Sequence, residues 1–418
     1  MGAGTFVNRS TRPASTTTTH QITKPGDLIL IAAVVALAVL GLLMLYSASA
    51  DFSLRTYGTP TFLFNKQLLW MAIGTVLALV LARLDYHLWR RYALLLMSLT
   101  VVLLIAVLAI KDVRNGAVRT IFGGSIQPSE LAKLAMIIYL SVWLYSKRDY
   151  MHDIQLGLIP LAIILGGIGG LIYLQPDLSA AITIFILGGL LFFLAGGELR
   201  QIILFCVVAL AAGWLVIQFS ATGRARLVSY LDGLKDPLKS SDHVLWSYEA
   251  LYHGSWFGVG IGNATTKLIG LPFSATDSIF AVVVEELGLA GAVVLIGLYG
   301  VLLWRGLTIA SQAPDSLGSV MAAGLTFWIV IEAFINMAVM VGLLPFAGNA
   351  LPFVSAGGSS LISTLVAIGI LLNISRQAGQ KAPQAPVEVE NEERRSYSAS
   401  VDLRRRDRRR GLSRARRG

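Results

Sequence analysis

A chain of 418 residues that is 55% hydrophobic and only 14% charged, with a mean hydropathy of +0.69, is not a soluble globular domain. In such domains charged residues make up about a quarter of the chain. The net charge of +10 is concentrated in one place, because residues 394–418 alone hold eleven Arg and two Asp, leaving the body nearly neutral. A nearly neutral body lacks the basic face that nucleic-acid binding requires, and the single cysteine, Cys206, has no partner for an internal disulfide and reads as a buried small apolar residue.

Taken in order, residues 1–26 form a polar N-terminal tail rich in Ser and Thr, too polar for a signal sequence. The first apolar run, 28–49, is long enough to cross a bilayer. Further runs follow at 67–84, 92–110, 129–146, 157–174, 178–195 and 199–219, and, after a long interruption, at 279–304, 319–344 and 359–375. The chain therefore reads as an all-α polytopic membrane protein, with about ten transmembrane helices and a long extracellular loop, 220–278, between helices 7 and 8. Residues 27–376 make up the membrane domain, and 377–418 a disordered, Arg-rich cytoplasmic tail. Arg83, Arg90, Arg91, Lys147, Arg148, Arg200 and Arg305 fall on the side of the N terminus, which places both termini in the cytoplasm.

Polar groups inside apolar runs are costly and mark candidate sites. Glu130 and Lys133, in QPSELAKL, lie three residues apart on one helix face; they serve either as a structural ion pair or as the lining of a polar cavity. Asp177, in QPDLSA, either caps the sixth helix or shares that cavity. Glu332 and Asn336 are spaced for helix–helix hydrogen bonding. The five histidines show no metal-ligand spacing. GVGIGNATTK lacks the spacing of a phosphate-binding loop, and no nucleotide site is expected there.

The densest acidic stretch is LPFSATDSIFAVVVEELG, residues 271–288. Asp277 stands where a polar loop meets an apolar helix, and Glu285 and Glu286 lie inside the run. Eight helical residues separate Asp277 from Glu285 by roughly 12 Å. That exceeds the separation of about 5–9.5 Å between paired glycosidase carboxylates. A transfer from a lipid pyrophosphate needs only one base, with cations to steady the leaving group. Asp277 is the candidate base, Arg224, Arg226, Lys267 and Lys133 are candidate anion contacts, and Glu285 and Glu286 are supporting residues expected to organise the bundle, with Lys133 as a partner.

QPSELAKL (127–134), QPDL (175–178), RARLVSYLDGLKDPL (224–238), GVGIGN (258–263), TDSIFAVVVEELG (276–288) and LPFVSAGGSSL (351–361), in this order, resemble the SEDS family of FtsW, RodA and SpoVE, and the long polar tails resemble the division-type FtsW branch most. The resemblance implies a peptidoglycan glycosyltransferase that polymerises lipid II onto undecaprenyl-pyrophosphate-linked glycan at the outer face of the inner membrane, in cell division or cell-shape maintenance. It implies a class B penicillin-binding protein as transpeptidase partner, other divisome or elongasome membrane proteins, and an associated divalent cation, Mg or Mn, whose ligands are unknown. It places the catalytic aspartate on Asp277 and substrate contacts on Lys133, Glu130 and Arg226, with Asp177, Ser355 and Ser359 of the matching motifs as further candidates. Thr120, His243, Phe273, Ala275, Ser278 and Ala356 stand where the family usually has other residues. A lipid II flippase and a non-catalytic scaffold for a transpeptidase are the competing readings.

Overall fold

The computed structural model describes residues 27–110 and 127–378, and every regular element among them is helical. Helices are the form in which an open chain can satisfy its own backbone polar groups in hydrocarbon. The first half comprises α1 (Leu28–Tyr57), α2 (Phe62–Leu81), α3 (Trp89–Ile110), α4 (Pro128–Ser146), α5 (Ile159–Tyr173), α6 (Leu178–Leu194) and α7 (Leu199–Phe219). Three helices, α8 (Ala221–Lys235), α9 (Asp242–Gly254) and the single turn α10 (Thr266–Ile269), occupy the long connection. The chain ends in α11 (Ile279–Gln312), α12 (Ser316–Met340) and α13 (Gly358–Ala378). Each of the ten apolar runs forms a helix, and eight helical stretches are long and apolar enough to cross a membrane. The protein is a polytopic membrane protein. The N-terminal tail, the basic tail beyond residue 378 and Thr120 lie outside the described residues.

Local chemistry sets the helix ends. Asp27, Asp177 and Asp315 cap α1, α6 and α12, accepting hydrogen bonds from the amides of Leu30, Ala180 and Gly318 at 3.1, 3.3 and 2.8 Å. Each such cap satisfies an otherwise orphaned donor and is worth about 1 kcal/mol. Pro128 opens α4 at a position where a missing N–H costs nothing.

Burial sorts the helices. In α12 and α13, 67% and 72% of the apolar window is buried, against 6% in α7. The last helices therefore form the centre of the bundle, and α7 presents its side chains to lipid. This corrects the expectation for Cys206, which is exposed on α7. Hydrophobicity there meets acyl chains, not a protein core.

The 220–278 connection is not an open loop. Backbone from 255 to 260 runs into a break in α11, where Gly288 leaves helical geometry at φ 69° and ψ −170°. The amides of Val259 and Gly260 donate to the carbonyls of Glu285 and Glu286 at 3.0 and 3.1 Å, and those of Leu289 and Ala290 donate to Ser255 and Trp256 at 2.9 and 3.1 Å. Broken helices are tolerated at membrane depth when other protein groups re-satisfy the freed backbone in this way.

The two ends of the bundle differ. At the end where α1 starts, Arg305 pairs with Asp27, and Tyr86 donates to Asp315 at 2.9 Å. At the opposite end the connections 271–278 and 341–357 meet.

Candidate functional site

Asp277 lies at a sharp change of environment. It is partly exposed, whereas every residue from Ser278 to Glu286 is buried. The turn that presents it begins at Phe273, whose φ is +50° and whose carbonyl accepts from the amides of Thr276 and Ser278 at 3.0 and 3.2 Å. The 341–357 connection braces this turn from the side. Ser355 Oγ donates to the Thr276 carbonyl at 2.6 Å, and the Ala356 amide donates to the Ala275 carbonyl at 2.8 Å. Asn336 on α12 donates to the carbonyls of Asp277 and Asn349 at 2.8 and 2.6 Å. Gly348 sits so close that a Cβ there would lie 2.8 Å from Asp277 Oδ2. The carboxylate is thus presented by a backbone held at several points.

A second group of residues closes over the corner. His243, in the first turn of α9, shares a 2.8 Å hydrogen bond between its Nδ1 and Ser278 Oγ. Its ring stacks on Phe346 at 3.9 Å and lies nearly parallel to Phe273 at 5.9 Å. The guanidinium of Arg226 lies over the same Phe346 ring at 5.4 Å. Burial, with the Arg226 charge adding to it against the pull of Asp242, pushes the His243 imidazole down to about 4. The ring is therefore neutral near pH 7.

Beside the turn is a cavity of about 780 Å³ between α1, α2 and residues 267–276. Arg55, Lys66 and Lys267 line it, with Phe52, Tyr57, Trp70 and Phe273 as aromatic walls. Thr276, immediately before Asp277, is part of the lining. Lys267 is tied down there, donating to Glu286 Oε1 at 2.5 Å and Ser47 Oγ at 2.8 Å.

Other predicted site residues sit elsewhere. Lys133 is buried with Glu130 at 2.8 Å and with Glu332 of α12. This corrects the expected pairing of Lys133 with Glu285 or Glu286. Glu285 instead accepts from the amides of Thr265 and Thr266 at 2.9 and 3.3 Å, and Glu286 takes Lys267. The 282–288 helix turns these carboxylates towards the α10 segment, while Lys133 faces α12. Glu332 nevertheless lies one turn from Asn336, so the Lys133 group buttresses the helix that holds Asp277. Asp177 caps α6 and also accepts from Ser129 Oγ at 3.0 Å and Gln127 Nε2 at 2.9 Å; the Gln127 amide donates to Ser359 at 3.1 Å. Asp177 and Ser359 thereby join three helix starts, and neither they nor Glu130 line the cavity. Arg224 donates to the Gln218 carbonyl near the junction of α7 and α8, apart from Arg226.

Among the described residues no three His, Cys, Asp or Glu side chains gather into a cation site. An ion of the Mg type, held by one or two carboxylates together with substrate phosphates, needs no such cluster. Sequence reasoning missed His243, Phe346 and Gln67, whose side chain donates to the Ser355 carbonyl at 3.1 Å. A histidine examined only for metal spacing gives no sign of a stacking role.

Comparisons with known proteins show the family and the fold. The family model for cell cycle proteins of the FtsW/RodA/SpoVE type matches residues 27–380. A probable peptidoglycan glycosyltransferase FtsW from Trichlorobacter lovleyi is 38% identical over 353 residues, covering 84% of this chain and 93% of the relative. Stage V sporulation protein E of Bacillus subtilis is 38% identical over 355 residues, covering 84% and 97%. In structure, the chain superposes with TM-score 0.70 and 28% identity on a chain from work on how a peptidoglycan synthase complex coordinates polymerization and crosslinking, covering 85% of this chain and 99% of that one. It superposes on the rod shape determining protein RodA of Thermus thermophilus with TM-score 0.62 and 25% identity, covering 84% and 97%. With an all-helical membrane bundle and a family model that spans every described residue, the chain belongs to the FtsW/RodA/SpoVE family.

Proposed function

We propose that this chain is an inverting glycosyltransferase that polymerises lipid II at the outer face of the bacterial cytoplasmic membrane. The observation that carries the reading is a partly exposed carboxylate, Asp277, on a braced turn one residue beyond the wall of a cavity lined by cations and aromatics, whose own carboxylate, Asp51, is paired with Arg55 at 2.8 Å. The names of the relatives as peptidoglycan glycosyltransferases support it.

In the proposed step, the acceptor sugar hydroxyl gives its proton to the Asp277 carboxylate as its oxygen bonds to the anomeric carbon of the donor. The bond from that carbon to the pyrophosphate oxygen breaks, and undecaprenyl pyrophosphate leaves with the electron pair. A well-placed base contributes about 10²–10⁴-fold. Arg55, Lys66 and Lys267 offer positive charge to the pyrophosphate; Arg55 is shared with Asp51, and Lys267 is partly neutralised by Glu286 and acts mainly in shaping the wall. Arg226, over the Phe346 ring at 5.4 Å, reaches the same corner. Ser355 holds the turn through its hydroxyl, and Lys133 and Glu130 stabilise the helices beneath.

Sidedness follows from charge. Arg305, Arg83 and the basic residues at 90–91 belong to the end remote from Asp277, and the positive-inside rule puts that end, with both termini, in the cytoplasm. The partner best suited to the product is a class B penicillin-binding protein, since one structural neighbour comes from a complex coupling polymerization with crosslinking. A flippase would use Glu130, Lys133 and Glu332 to line a path, whereas here they are closed into one buried group. The test is incubation of purified protein with lipid II, with and without that transpeptidase. Glycan polymer is expected from the wild type, and lipid II movement in vesicles without polymer would overturn the reading.

A further inference from the structure

Three separate segments meet at one ring beside Asp277. His243 comes from α9, Phe273 from the turn before α11, and Phe346 from the connection between α12 and α13. Ser278, bonded to the ring at 2.8 Å, is fully buried and follows Asp277 directly, so it has no freedom to move without moving the aspartate backbone. The anchor itself is fixed. Ser247 Oγ donates to the His243 carbonyl at 2.7 Å and contacts Met340 Sδ at 3.2 Å, which locks the first turns of α9 onto the end of α12. The bond and the stack thus connect the long outer connection to the carboxylate through rigid parts only.

We propose that His243 is a positioning residue for the transfer reaction, holding the Asp277 carboxylate in register through its hydrogen bond to Ser278 while its ring stacks on Phe346. The assignment rests on the reading of Asp277 as the base. It asks first for a hydrogen-bonding edge towards Ser278, which imidazole supplies, an amide can mimic and a phenyl ring cannot, with the stack on Phe346 steadying the ring. Neutrality also suits the task. A cationic ring next to the aspartate would compete with the acceptor hydroxyl for the carboxylate and lower its strength as a base.

The two halves separate by substitution. His243→Phe keeps the stack and removes the bond, His243→Gln keeps a bonding edge, and Ser278→Ala removes the other partner with minimal change in volume. Initial rates are measured over a range of lipid II concentrations on purified, monodisperse proteins. Misplacing a reacting group by about 1 Å costs up to about 100-fold. His243→Phe and Ser278→Ala are therefore expected to lower kcat by about 10- to 100-fold with KM held within about twofold. His243→Gln recovers most of that loss, and the double variant H243F/S278A is no slower than the worse single one. A wild-type kcat in either His243→Phe or Ser278→Ala, or losses that multiply in the double variant, overturns the proposal. Asp277→Asn in the same assay separates the two levels. If it still makes polymer, the base assignment falls and this one with it; if it is inactive while His243→Phe runs at the wild-type rate, only the role of His243 falls.

Discussion

Replacing Gly288 with alanine tests the broken helix most sharply. At φ 69° and ψ −170° the residue occupies a region open essentially to glycine alone. An alanine Cβ would collide with the Gly258 amide nitrogen and lie 2.5 Å from both the Phe257 nitrogen and the Trp256 carbonyl carbon. All three are backbone atoms and no side chain can swing aside, so the 255–260 segment must withdraw from α11. Backbone strain of about 1–3 kcal/mol and the weakening of the four hydrogen bonds across the break, each worth about 1 kcal/mol net, give a loss of about 3–6 kcal/mol. Gly297 is the control, since it lies on the same helix with nothing within 4 Å of its would-be Cβ. Thermal unfolding of both variants in the same lipid nanodiscs should show a large drop for Gly288→Ala and a change of less than about 1 kcal/mol for Gly297→Ala. Equal midpoints for the two variants would refute the account of the α11 break.

Three further outcomes follow from the same coordinates. Lys133→Ala leaves Glu130 and Glu332 buried without their cation and should cost about 3–5 kcal/mol of stability; adding Glu332→Gln should recover part of the loss, as read from unfolding midpoints. Gly348→Ala places a methyl 2.8 Å from Asp277 Oδ2, the mobile end of a side chain, so the protein should fold normally while kcat falls by about tenfold with little change in KM. The His243 imidazole titrates at about 4 in the fold, against an ordinary value of 6.5. As pH falls through 6.5 the unfolded chain takes up a proton that the folded one does not, so stability is lost between pH 6.5 and about 4. The loss is about 3 kcal/mol before, and about 1–2 kcal/mol after, allowing for solvent around a half-buried ring, and it should shrink in His243→Phe.

The fold was legible wherever hydrophobic length carries the information. Ten apolar runs became ten helices, and Asp277 stood out because a carboxylate at a loop-to-helix boundary is visible in one dimension. The i, i+3 spacing of Glu130 and Lys133 likewise foretold their pairing. Contacts between distant segments were not legible. Glu332 lies far from Lys133 in sequence, and periodicity cannot choose between it and Glu285 or Glu286 as the partner. Gly288 also gave no warning, since EELGLAG reads as ordinary apolar helix and a single glycine costs a helix only about 1 kcal/mol. The meaning of His243 appears only once its stack on Phe346 and its bond to Ser278 are seen. The aromatics and glycines of loop 220–278 have no regular period, so the sequence left open whether it lies along the membrane or packs on the bundle; the backbone bonds of Val259 and Gly260 to Glu285 and Glu286 show that it packs on α11.

The central claim is that one carboxylate at the outer rim performs the proton transfer in glycan polymerisation. The most direct measurement is polymer formation from purified lipid II by wild type and by Asp277→Asn, which keeps size and hydrogen bonding but removes the base. The account predicts polymer from the wild type and a loss of at least about 100-fold in the variant, with unchanged unfolding behaviour. Polymer made by Asp277→Asn at the wild-type rate would contradict it.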